Sequence, residues 1–434
     1  MSRATFRRAA IAIAAVMLLG GAGGGFDPRL LLAMGGLFVF AKLGGDLLNR
    51  LGMPAVLGEL AAGIIAGTLD LLGWHGLDFA LTDSNLAFLG ELGVILLLFQ
   101  VGLESNMGQM AKVGAAALVV ACVGVILPMA LGYGLHAVLA PDRTWHTHLF
   151  IGAVLTATSV GITARVFKDL GRIDSPTGRV VLGAAVIDDV LGLIVLAVVS
   201  GVVVGAESGK AIDAVAILVI IGKAIGFLTV AIIAGHPVSR RLYRAASAMQ
   251  IHGVLLAVSL AFCFAVAYGA HAVGLAPIVG AFAAGLVLDE VVFHDHLAKG
   301  DRPLEVQLEP VGQMLTPVFF ILTGARVDLA AFGNTEALTL AAALTAAAIV
   351  GKQACALVAF GEGVHKRSVG LGMIPRGEVG LIFAATGANL MLGGEPVIGP
   401  TTYAAVVLMV MITTLVTPPL LAWSLKAAPD AGRS

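Results

Sequence analysis

From residue 28 to residue 424 the sequence is a succession of apolar runs, each close to the ~20 residues a helix needs to cross the hydrocarbon core of a bilayer. Short polar turns separate them. This is the pattern of an all-α polytopic membrane protein, and composition agrees with it. The chain is 59% hydrophobic and 12% charged, with a mean hydropathy of +0.99, whereas a soluble chain carries about 25% charged residues. The 56 glycines suit the same class, since small residues let helices in a membrane approach closely.

Hydropathy and turn signals place thirteen spans, near 28–48, 53–72, 86–104, 111–138, 146–167, 179–203, 211–235, 250–272, 275–289, 306–325, 336–360, 368–391 and 399–424. The positive-inside rule tests the count. With residue 28 outside, the inside loops and tail carry fourteen basic residues, Arg240, Arg241, Arg244, Lys366 and Arg367 among them. The outside segments carry four: Arg29, Arg143, Lys210 and Arg326. The excess puts the C-terminus in the cytoplasm. Upstream, "MSRATFRR" reads as a basic n-region before a short apolar segment at 9–24, so residues 1–27 are expected to be a signal peptide or an extra N-terminal helix. Cys122, Cys263 and Cys355 lie in separate spans with no metal or disulfide spacing, and read as packing residues.

Two stretches repeat. "PAVLGELAAGIIAG" begins at Pro54 and "PIVGAFAAGLVL" at Pro277; Gly58 stands 44 residues before Gly102, and Gly280 stands 44 before Gly324. The offset spans seven helices, an odd number, which inverts the second copy. Two inverted five-helix repeats, spans 2–6 and 9–13, are the mark of secondary transporters, with the binding site near the midplane.

Five ionisable residues sit deep in these spans: Asp188 and Asp189 in the sixth, Lys352 in the eleventh, Arg376 and Glu378 in the twelfth. Each costs about 3 kcal/mol to insert unpaired, so partners or water must be supplied. Neighbours on a helix point about 100° apart, so the two aspartates are expected to do different jobs. One would pair with Lys352; the other would face a hydrated cavity. Low dielectric favours the neutral form of acid and base alike, which makes such a set a coupled proton exchanger. The fifth span contains "TATSVGITAR", with Thr156, Thr158 and Ser159 at mid-depth as possible cation ligands. The twelfth contains "IPRGEVG", where Pro375 and Gly377 should break the helix, free carbonyls, and leave Arg376 and Glu378 to neutralise the exposed helix ends. By the repeat offset the two segments are equivalent. Glu59 and Glu91 are single acids in other spans, and Lys42 and Lys223 are expected to snorkel.

The series "TATSVGITARVFKDLG", "GAAVIDDVLGLIVLA", "VGKQACALVAF" and "GMIPRGEVGLIFA", in that order, resembles the sodium/proton antiporters of the NapA type, in the second monovalent cation:proton antiporter family. The resemblance runs from about residue 28 onward. It implies a homodimer in a bacterial inner membrane. It also implies a panel domain (28–104 and 250–330), a linker helix (206–249) and a mobile ion-translocating core (105–205 and 331–434) with elevator-like alternating access. On the same grounds Asp189 would be the main cation ligand and Asp188 the partner of Lys352. Thr156, Thr158 and Ser159 would lie at the crossing, with Arg376 and Glu378 stabilising the second broken helix. Paired aspartates imply electrogenic exchange of Na+ or Li+ for protons. The expected partners are a monovalent cation, H+, the lipid bilayer and a second copy; no cofactor, resident metal or nucleic acid is expected, and no enzymatic activity. A K+/H+ antiporter of the same fold is the nearest alternative and a sodium-coupled solute symporter a lesser one. A channel is hard to reconcile with a buried lysine. An intramembrane aspartyl protease needs its two acids on facing helices, and here they share one.

Overall fold

The computed structural model describes residues 28–51, 54–69, 77–104, 114–173, 175–208, 214–246, 249, 253–288, 302–327 and 335–427. The apolar segment expected at 9–24 lies outside them. The described chain is helical: α1 Arg29–Arg50, α2 Ala55–Thr68, α3 Ser84–Glu104, α4 Gly114–Leu139, α5 Trp145–Val154, α6 Val160–Asp169, α7 Pro176–Glu207, α8 Ala214–Ala246, α9 Val254–Ala272, α10 Pro277–Val287, α11 Leu304–Ala325, α12 Thr335–Val358, α13 Lys366–Gly372, α14 Glu378–Asn389 and α15 Pro400–Ala427. A single helical turn, Asp78–Leu81, precedes α3, and a two-residue hairpin (Met391–Leu392 with Glu395–Pro396) joins α14 to α15.

Among the described residues eight helices are long and apolar enough to cross a membrane: α1, α3, α4, α7, α8, α9, α12 and α15. The remaining expected spans take other forms. Those at 53–72 and 275–289 are shorter apolar helices of 14 and 11 residues, α2 and α10. The segment at 306–325 falls in α11, which is lengthened and made more polar by "LEVQLEP" at its start. The segments at 146–167 and 368–391 are each interrupted, giving α5–α6 and α13–α14.

Local chemistry sets several of these boundaries. The longest helix that feeds the site, α7, starts with Pro176 in its first turn, and the Ser175 hydroxyl accepts from the Gly178 amide at 3.0 Å. Prolines inside α4, α8, α11 and α15 are tolerated as they are in membrane helices, where neighbours re-satisfy the freed carbonyl.

The chain divides into two compact units, Met1–Val94 with Pro310–Leu329, and Ile95–Glu309 with Ala330–Ser434. In the first, α1, the start of α3 and α11 bury Leu30, Leu37, Leu86, Val318 and Ile321 together. The second holds two apolar cores. One joins α9 and α10 to Phe99 and Tyr243; the other joins α4, α6, α7, α12, α13 and α15 around Val181, Phe167, Ile374 and Leu421.

Glycines carry the tightest helix contacts, and they do so in matched sets. Gly63 and Gly285 stand 222 residues apart, as do Leu60 and Phe282, Phe99 and Ile321, and Gly102 and Gly324. In the second unit Gly285 lies against the Phe99 carbonyl and Gly102 against the Phe282 carbonyl, with no room for a methyl group. In the first unit Gly63 lies against the Ile321 carbonyl and Gly324 against the Leu60 carbonyl, again with no room. The contacts are the same pairs with the two sequence copies exchanged.

Candidate functional site

The five ionisable residues set deepest in the spans, Asp188, Asp189, Lys352, Arg376 and Glu378, belong to the second unit. Asp188 and Asp189 lie about three turns into α7. Asp188 Oδ1 accepts from Lys352 Nζ on α12 at 2.9 Å, and both side chains are completely buried. Asp189 points elsewhere and retains 8% exposure. The two adjacent carboxyl groups therefore stand in different surroundings.

The ion pair fits because a glycine faces it. A methyl group on Gly124 of α4 would lie 3.2 Å from Lys352 Nζ, 3.2 Å from Cys355 Sγ and 3.6 Å from Asp188 Oδ1. Cys355, one turn beyond Lys352, donates its thiol to the Val120 carbonyl at 3.4 Å, which ties α12 to α4 beside the pair.

The two helix interruptions cross. After α5 the chain leaves helical structure through residues 157–159, and after α13 through residues 374–377. The Ser159 amide donates to the Pro375 carbonyl at 2.8 Å. At the same point Gly377 touches Ser159 so closely that a Cβ on it would lie 2.6 Å from Ser159 Oγ and 2.7 Å from Ser159 Cβ. Glycine is needed at 377 for this approach.

Arg376 holds the crossing together. It is fully buried, and its guanidinium donates to the carbonyls of Thr156, Ala157 and Ala348, reaching from the second interruption to the first and on to α12. Its own carbonyl accepts from the Thr414 hydroxyl of α15. Below the crossing, Thr163 of α6 donates to the Gly372 carbonyl at 2.6 Å. Arg376 was expected to serve the ends of its own broken helix; its guanidinium bonds go to carbonyls of the other interruption and of α12. The Glu378 side chain lies outside the described residues.

The three hydroxyl residues of the first interruption are all buried, but they differ. Thr156 donates back to the Ala153 carbonyl at 2.7 Å, closing its own helix end. Thr158 Oγ1 has no hydrogen-bond partner among the described residues, and the same is true of Asp188 Oδ2 and Arg376 Nε. One turn beyond the aspartates, Gly192 of α7 faces Phe383 and Thr156 Oγ1, so this stretch of α7 packs across the first interruption. Buried polar atoms without partners cost about 1–3 kcal/mol each. Carboxylate and hydroxyl oxygens are the donor types that suit a hard cation or water.

Elsewhere, Glu59 is buried within the first unit while Glu91, Lys42 and Lys223 are exposed, the lysines as snorkelling requires. Three contributors escaped the sequence reading: Gly124, Thr414 and Ala348. Nothing local marks them, because each matters only through a residue distant in sequence.

The sequence matches the family described as sodium/hydrogen exchanger, transmembrane, over residues 35–427. It is 37% identical to the high-affinity Na+/H+ antiporter NhaS3 of Synechocystis, covering 90% of this chain and 89% of that one. It is 33% identical to the Na+/H+-K+ antiporter GerN of Bacillus cereus, covering 91% and 96%. Among solved structures, the sodium proton antiporter MjNhaP1 of Methanocaldococcus jannaschii superposes with a TM-score of 0.65 at 15% identity, over 92% of this chain and 99% of that one, which is a likeness of fold.

Proposed function

The chain belongs to the transmembrane sodium/hydrogen exchanger family, which makes it an integral multi-pass membrane protein, and from that premise we propose that it is an electrogenic Na+(Li+)/H+ antiporter working by alternating access. The observation that carries the reading is the buried Asp188–Lys352 pair standing next to Asp189, beside two crossing interruptions. Relatives at 37% and 33% identity are named as Na+/H+ antiporters, which supports the substrate.

The exchange follows from competition. Na+ and protons contend for Asp189, with Thr158 and Ser159 as further oxygen ligands. Arrival of the cation displaces the Asp189 proton. The added positive charge also acts on the Asp188–Lys352 pair, from which a second proton leaves. Exit reverses both steps. An empty, fully ionised site would be expensive to carry through low dielectric, and this blocks leak. If one net charge moves per cycle, a potential of about 100 mV supplies roughly 2.3 kcal/mol, which sustains a cation gradient of about fiftyfold. The thirteen-span topology with a cytoplasmic C-terminus, the panel and core division, homodimer formation and residence in a bacterial inner membrane complete the reading. The inverted repeat is supported by the glycine contacts that recur with the copies exchanged.

A K+/H+ antiporter is the second reading, favoured by one observation: GerN, a relative matched over nearly its whole length, is named for K+ as well as Na+. One assay separates them. Proton flux is recorded in proteoliposomes on addition of NaCl, LiCl or KCl, with and without a clamped potential, for the intact protein and Asp189→Asn. Flux with Na+ and Li+ but not K+, accelerated by potential and abolished in the variant, is expected. Flux with K+ moves the conclusion to the second reading, and no cation-dependent flux between pH 6 and 9 removes both.

A further inference from the structure

A second pair of buried ionisable groups has no part in the exchange described above. His136, near the end of α4, and His148, one turn into α5, place their Nδ1 atoms 2.7 Å apart. Both rings are buried, with centroids 5.0 Å apart, and the Tyr133 ring meets His148 edge-on at 5.9 Å. A contact this short between two ring nitrogens has one chemistry. One Nδ1 carries a hydrogen and donates it; the other must present a lone pair. The pair therefore holds together with no net charge or with one extra proton. It does not hold with two, because both Nδ1 atoms would then be donors facing each other at hydrogen-bond distance.

Arg143, in the turn between the two helices, is held by Glu395 at 2.9 Å. His146 stacks on Trp145 with ring centroids 3.9 Å apart, and neither of its ring nitrogens has a hydrogen-bond partner among the described residues. The other charges near this end of the unit include Asp142, beside Arg143 in the same turn, Glu336 at the start of α12 and Glu207 at the end of α7, the last accepting from the Gly393 amide. No carboxylate is hydrogen-bonded to either histidine among the described residues.

The position gives the pair leverage. Along the rest of their contact α4 and α5 are locked by small residues: a Cβ on Gly152 would meet the Met129 carbonyl at 2.6 Å, and one on Gly132 would meet Gly152 Cα at 3.0 Å. The histidines close the end of that interface. Beyond them α5 runs as one buried helix to Val154 and opens directly into Thr156, Ala157, Thr158 and Ser159.

We propose that His136 and His148 form a proton-binding site separate from the carboxylates, facing the outer solution, whose second proton parts α4 from α5 and displaces the first interruption. The ligand is the proton itself. Sidedness rests on the topology adopted under the proposed function, in which the turn at Arg143 is outside. Acidification of that side would then slow exchange before protons alone have saturated the aspartates.

The test sets inner and outer pH independently in oriented proteoliposomes and records Na+-driven proton flux as outer pH is stepped from 8.0 to 5.5. His136→Asn and His148→Asn retain a neutral hydrogen-bonding group and should lose the dependence, leaving at least threefold more of their pH 8 rate than the wild type at outer pH 5.5. Superimposable profiles overturn the proposal. Histidine 15N NMR of the wild-type protein reads the site without transport: two widely separated proton uptakes are expected from the pair, and two equal, independent titrations overturn it. A wild-type protein no more active than Asp189→Asn would defeat the antiport reading instead, and the NMR titration would still decide the proton site.

Discussion

Asp188 and Lys352 are worth more to each other than to the fold. Removing one partner of a buried ion pair strands the other and costs about 3–5 kcal/mol, while replacing both together is often far milder. Lys352→Ala should accordingly lower thermal stability in detergent steeply, and Asp188→Asn combined with Lys352→Gln should recover most of the loss without restoring voltage-driven exchange. Transport and melting measured on the same preparations check this. Gly124 gives a finer probe. Gly124→Val presses a side chain against Lys352 Nζ and Cys355 Sγ, an overpacking of about 1–3 kcal/mol, and should abolish flux. Gly124→Ala meets its neighbours at 3.2 Å and should leave flux measurable with a shifted pH profile. That one of the two aspartates would meet Lys352 was legible in the sequence because hydrocarbon forces buried charges to find one another; the choice of Asp188 came from the family resemblance. Gly124 was not, since a glycine among 56 gives no sign of which one faces a lysine.

The two interrupted helices were legible to different degrees. Pro375 and Gly377 announce the second, since a proline cannot donate and a glycine does not hold a helix. The first contains neither residue between Val154 and Val160. Its non-helical course depends on the Ser159 amide meeting Pro375 and on Arg376 taking the Thr156 and Ala157 carbonyls, contacts more than 200 positions away. Sequence pattern reached it through equivalence with the second. The crossing predicts a compensating pair: Gly377→Ala should destabilise the protein by about 1–3 kcal/mol, and Ser159→Gly in the same chain should return much of that, because the clash involves Ser159 Oγ and Cβ. Melting temperatures of the two singles and the double decide it. Thr414→Val removes the donor to the Arg376 carbonyl and should cost about 1–3 kcal/mol, with Thr414→Ser close to wild type.

At the scale of the whole chain, the shared spacing of 44 residues pointed to duplicated architecture, and the matched glycine contacts support that reading. Gly63→Val and Gly285→Val should reduce folded yield to a similar extent, since each drives a side chain into a carbonyl of its counterpart helix. Gly226→Val, on a face of α8 where a Cβ meets nothing within 4 Å, should be nearly silent. Fluorescence-detected size exclusion of the three variants is sufficient. Length and hydropathy register eight helices among the described residues, because α2 and α10 are short, α11 carries a more polar start and two other segments are interrupted. The proposed repeat does not extend to the acids: the positions 222 residues after Asp188 and Asp189 are Val410 and Met411. The Arg376 contacts also bear on how the protein is made. A ribosome releases Thr156 and Ala157 about 220 residues before it releases the arginine that satisfies their carbonyls. Through that interval an open turn there would leave bare carbonyls in lipid at several kcal/mol each. The nascent segment must stay helical, or stay wet, until the twelfth span arrives, so the site comes into being late in biogenesis and all at once.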